Sequence, residues 1–69
     1  MNDIKINRNI ATFRKIKGVT QEDLAGVMKV SSQAVSKWER GKCCPDITLL
    51  PELARYFEIS VDELIGYEG

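Results

Sequence analysis

The sequence has no histidine, two cysteines and two prolines. Without histidine, the commonest general acid/base and metal ligand is missing. No Gly-rich loop follows a strand and opens a helix, so the usual cradle for nucleotide phosphates is missing too. An enzyme is therefore not expected, and neither a cofactor, a metal nor a small-molecule substrate has a constellation to receive it. Apolar runs stop at two or three residues, far short of the ~20 that span a bilayer. Met1 to Ile10 carries charges where a secretory signal would be apolar, so no membrane partner and a cytoplasmic location are expected. Alternating β-branched patterning is also missing between the punctuating Gly18, Gly41, Pro45, Pro51, Gly66 and Gly69, which argues against strands.

What is present fits one small domain over residues 1–69, near the lower size at which an apolar core alone suffices. The formal net charge is zero, which alone would argue against a nucleic-acid partner. The average conceals a split. Met1 to Lys42 holds nine Lys or Arg against four Asp or Glu, while Cys43 to Gly69 holds one against six. Such asymmetry suggests that the first half meets a polyanion and the second faces away or contacts protein.

Helical periodicity and capping signals divide the chain into five helices. Ile6, Ile10 and Phe13 recur at i, i+4 and i+7, with Gly18 as a C-cap, giving a first helix from Ile4 to Lys17. Thr20 with Asp23 is an acidic variant of the capping box, placing a second helix from Gln21 to Met28. Lys29 and Val30 break the pattern, Ser31 caps again, and a third helix runs from Ser32 to Arg40 before Gly41. Asp46 caps a fourth segment through Leu49, Leu50, Leu53, Ala54 and Phe57. Pro51 should make its first turn irregular by disfavouring helical angles at Leu50. Ser60 with Glu63 is a full capping box opening a short fifth helix that ends at Gly66. Leu24, Ala25, Met28, Val30, Val35 and Trp38 form the inward face of the second and third helices, with Ala25 small enough for close backbone approach.

The run from Gln21 to Arg40, with Phe13 to Gly18 before it and Leu50 to Phe57 and Val61 to Leu64 after it, resembles the Cro and CI type of helix-turn-helix, the xenobiotic-response-element family. The resemblance covers nearly the whole chain. It implies an all-α, five-helix phage-repressor-like bundle of prokaryotic or phage origin. It also implies a transcriptional regulator, expected to be a repressor, whose third helix enters the major groove of double-stranded DNA. A departure from the family pattern is Lys29 at a turn position often held by Gly; a left-handed backbone there would cost roughly 1 kcal/mol.

Ser32, Gln33, Ser36, Lys37 and Arg40 form a stripe opposite Val35 and Trp38, uninterrupted by an acid. Gln and Lys can read adenine and guanine edges and Ser several bases, so Ser32, Gln33, Ser36 and Lys37 are the expected base readers. Phosphate contacts are expected at helix N-termini and nearby cations. By resemblance, Gln21 meets a phosphate with its backbone N–H and side chain, and Ser31 plays the same part for the third helix. Arg40 and Lys42 follow that helix as phosphate contacts. Also by resemblance, Arg14 and Glu39 form a structural salt bridge between the first and third helices. A homodimer on a palindromic operator is expected, with Leu64, Ile65 and Tyr67 as candidates for the subunit contact. Cys43 and Cys44 lack the ligands to close a zinc site and read as an ordinary loop pair, with an intermolecular disulfide as the alternative. The competing functional reading is a protein-interaction module, such as an antitoxin-like partner, favoured by the zero net charge and acidic second half.

Overall fold

The computed structural model describes residues 5–66, which form α1 (Ile6–Lys17), α2 (Gln21–Met28), α3 (Ser32–Glu39), α4 (Leu50–Phe57) and α5 (Val61–Ile65), with a 3₁₀ turn at Ile47–Leu49. Strands are absent among the described residues. Ile4, where the sequence starts the first helix, and Tyr67 lie outside them.

The helix starts follow from side-chain oxygens that take up otherwise orphaned backbone N–H groups. Thr20 accepts from the Asp23 N–H, whose carboxylate accepts in return from the Thr20 N–H. Ser60 and Glu63 make the same reciprocal pair, and Ser31 accepts from the Ala34 N–H. Gly18 and Gly66 close α1 and α5 in the left-handed conformation. Two side-chain-bearing residues adopt it as well: Lys29 after α2 and Glu58 after α4, with φ of 60° and 61°. Lys29 thus carries the strain expected from the sequence, while Glu58 had no glycine to announce it.

Three boundaries differ from expectation. Helix α1 begins at Ile6, after a Lys5 whose backbone is non-helical at φ −113°, ψ 33°. Helix α3 ends at Glu39, and Arg40 caps it at φ −88°, ψ −1° while Gly41 turns the chain at φ +77°. Leu50 is helical, at φ −61° and ψ −46°, although it precedes Pro51. The 3₁₀ turn makes the irregular entry instead, with Asp46 accepting from the Thr48 N–H, and Pro51 sits where no helical N–H is needed.

A continuous core unites the five helices: Ile6 and Ile10 from α1, Leu24, Ala25 and Met28 from α2, Val35 and Trp38 from α3, Leu53, Ala54 and Phe57 from α4, and Leu64 from α5. Phe13 packs on it from α1, its ring 5.9 Å from that of Phe57. Val30 is only partly buried beside this core. Leu64 is fully buried, which removes it from the expected subunit contact; a side chain that closes α5 on the core cannot also face a second copy. Ile65 is half-buried.

Polar side chains of α1 fasten the ends of α3 and α5. The Asn7 carboxamide donates to the Trp38 carbonyl at the end of α3. That of Asn9 donates to the Glu63 and Leu64 carbonyls, at 3.2 and 3.1 Å, at the end of α5. The Lys5 N–H reaches the Ile65 carbonyl at 2.8 Å. These bonds satisfy C-terminal carbonyls that the helices themselves leave open, and none has a spacing signature in the sequence.

Candidate nucleic-acid interface

Val35 and Trp38 anchor α3 to the core at 0 and 4 % exposure, so the opposite face of that helix is fixed outward. Gln33 and Lys37 are exposed there, and Ser32 and Ser36 are half-buried on the same side. All four expected base readers therefore lie on the accessible side of one short rigid helix. Arg40 is exposed, its Nε donating back to the Ser36 carbonyl at 3.4 Å. The Lys42 N–H bonds the Lys37 carbonyl at 2.9 Å, which tucks the exposed Lys42 against the end of α3. Three cations, Lys37, Arg40 and Lys42, thus cluster at that end.

The carboxylate of α3, on Glu39, is turned away from this stripe and neutralised. Its Oε2 accepts from Arg14 Nε at 2.6 Å and its Oε1 from Arg14 Nη2 at 3.2 Å, with the two side chains 13 and 9 % exposed. Arg14 Nη1 also donates to the Val19 carbonyl at 2.9 Å. The expected ion pair between α1 and α3 is present, and it is mostly buried.

Gln21 differs from its sequence reading. It is half-buried at the start of α2, and its carboxamide Nε2 donates to Glu39 Oε1 at 3.0 Å. The side chain expected on a phosphate is therefore already engaged through one N–H. Sequence reasoning had no means of finding this bond, because it joins residues eighteen apart in the chain that only the angle between α2 and α3 brings together. Ser31 is exposed and occupied as the α3 cap.

Elsewhere the described surface offers little chemistry. No pocket and no cluster of three or more His, Cys, Asp or Glu side chains suited to a metal occurs among the described residues. Cys43 and Cys44 are free and exposed. No described helix is long and apolar enough to cross a membrane.

This architecture, a short turn joining α2 to a third helix that displays polar groups opposite a buried face, defines a class. A helix-turn-helix family model matches residues 10–64, and the chain belongs to that family, in its Cro and phage-repressor type. Among curated relatives, the transcriptional activator BcrR of Enterococcus faecalis is 37 % identical over 65 residues, covering 94 % of this chain and 32 % of that protein. The chain thus spans about a third of the activator's length. YazB of Bacillus subtilis (strain 168), an uncharacterized HTH-type transcriptional regulator, is 39 % identical over 57 residues, with 83 % of each chain covered. Among solved structures, a transcriptional regulator from Listeria innocua superposes with a TM-score of 0.92 at 31 % identity, over 97 % of this chain and 63 % of that one. The P22 c2 repressor, solved in complex with a synthetic operator, superposes with a TM-score of 0.80 at 30 % identity, over 87 % of this chain and 91 % of that one.

Proposed function

We propose that this protein is a sequence-specific double-stranded DNA-binding transcriptional regulator that acts as a repressor, two copies together occupying a palindromic operator. The observation that carries the reading is the outward stripe of α3, held by a buried opposite face and free of any outward carboxylate. A helix of this width fits the major groove. Ser32, Gln33, Ser36 and Lys37 read base edges, while Gln21, Ser31, Arg40 and Lys42 contact phosphates on either side. The likeness to the P22 c2 repressor, which covers most of both chains, supports repression by occupancy; the activator relative shares only a third of its own length.

The test is fluorescence anisotropy with duplex DNA from the promoter beside the protein's own gene, against a scrambled duplex, at two salt concentrations. Gln33→Ala is expected to relax preference at one base position by about 1 to 3 kcal/mol. Lys42→Ala is expected to weaken all duplexes alike and to lower the salt slope by about 1. Equal loss on every sequence for Gln33→Ala would remove it from the base readers. Tight binding to a co-encoded protein, with no affinity for DNA, would establish the protein-interaction reading in place of this one.

A further inference from the structure

We infer that Glu39 is a positioning residue for the phosphate contact of Gln21, and that Arg14 makes this possible by cancelling its charge. The inference rests on the DNA-binding reading above and adds a role that the ion pair alone does not have.

A carboxylate beside a DNA phosphate is ordinarily a liability, since like charges repel most where water is scarce. Here Glu39 faces Arg14 through both oxygens, at 2.6 and 3.2 Å, so the pair presents little net charge to an approaching phosphate. The same Oε1 then holds Gln21 Nε2 at 3.0 Å. A carboxylate can only accept, so the nitrogen of the carboxamide is the atom that must face it. That nitrogen carries two N–H groups; one is spent on Glu39 and the other is free. The Gln21 side chain, which would otherwise lose rotamer freedom on binding, is thereby fixed in advance at the head of α2. Its second N–H and the backbone N–H of the same residue both belong to the first residue of α2, in the turn where helix N–H groups have no internal partner. Arg14 from α1, Gln21 from α2 and Glu39 from α3 thus form a relay in which an internal ion pair orients a neutral external donor.

Simple electrostatics and this relay make opposite forecasts. If Glu39 is only a negative charge near DNA, Glu39→Gln should tighten binding. If it positions Gln21, the same change should weaken it, because an N–H₂ group replaces one of the two oxygens: facing Gln21 it meets another donor, and facing Arg14 Nε it breaks the pair that holds the site in place. The experiment is a double-mutant cycle on a short mixed-sequence duplex at low salt, with Gln21→Ala, Glu39→Gln and the double variant. Binding is measured at a temperature where circular dichroism shows every variant folded. Gln21→Ala is expected to weaken binding several-fold with no change in salt slope, because it removes a neutral donor and no cation. Glu39→Gln is expected to weaken it several-fold in the wild-type background and not at all in the Gln21→Ala background. Multiplicative losses, or tighter binding by Glu39→Gln, would overturn the inference while leaving DNA binding intact. Absence of binding by the wild-type protein at low salt would overturn the functional reading and the inference with it. Should Glu39→Gln fail to fold, Glu39→Asp enters the same cycle: it keeps a negative charge for the Arg14 guanidinium while drawing the carboxylate back from both partners by one methylene, with the same outcomes expected.

Discussion

Removing the Glu39 carboxylate altogether strands the Arg14 guanidinium in a site where that side chain is only 13 % exposed. Breaking a buried pair in this way costs about 3 to 5 kcal/mol, because the remaining charge keeps its desolvation penalty without compensation. A domain of this size has a total stability of roughly 3 to 10 kcal/mol, so Glu39→Ala is expected to lose much of its folded population near physiological temperature. The check is thermal melting by circular dichroism, and a midpoint equal to wild type would show that the pair carries no stability. The residue scale is also where the sequence was least complete. Resemblance placed Arg14 opposite Glu39, and the polar stripe of α3 was legible because Val35 and Trp38 fix which side is inward. Gln21 on Glu39, Asn7 on the end of α3 and Asn9 on the end of α5 were not legible. Each depends on where two helices come to lie, which no local spacing encodes.

At the scale of elements, the caps carried most of the information. Thr20, Ser31 and Ser60 each start a helix where a hydroxyl precedes an apolar face, and Gly18 and Gly66 each stop one. The fourth helix was harder to place, since its entry is a 3₁₀ turn and its exit a left-handed Glu58, neither marked by a typical residue. Two glycines show how the same residue type has opposite meanings in different elements. Gly26 lies inside α2 with ordinary helical backbone, and a Cβ added there meets nothing within 4 Å. Gly26→Ala is therefore expected to stabilise the protein by about 1 kcal/mol through the lost freedom of the unfolded chain, raising the melting midpoint by about 4 to 8 °C. Gly66 has a φ of +73°, and a Cβ there would lie 2.6 Å from the Asn9 Nδ2. Gly66→Ala is expected to lower the midpoint, since it strains the turn and displaces the Asn9 carboxamide from the end of α5. Parallel melts of the two variants test both expectations, and a common sign of change would contradict them.

At the scale of the whole molecule, dimensions constrain how the operator is read. The described chain measures 33 × 25 × 22 Å, with a radius of gyration of 11.0 Å. Recognition helices related by a two-fold axis on one side of B-DNA stand about 34 Å apart, one helical turn. In the dimer proposed above, half-sites at that spacing are comparable to the 33 Å long dimension of one copy, so two copies would fit side by side along the duplex without an intervening linker. The arrangement depends on rotational phase. Inserting about 5 base pairs between half-sites moves the second one to the opposite side of the duplex, and about 10 restores its side at greater distance. Quantitative footprinting on such a series is expected to show cooperative filling of both half-sites at natural spacing. With the half-turn insertion, each half-site should fill independently and at higher protein concentration, the difference measuring the contact between copies. In the proposed dimer such a contact would not run through Leu64, which the core consumes. Occupancy of both half-sites indifferent to spacing would mean that the protein binds as independent monomers, and the palindrome would then be two sites instead of one operator.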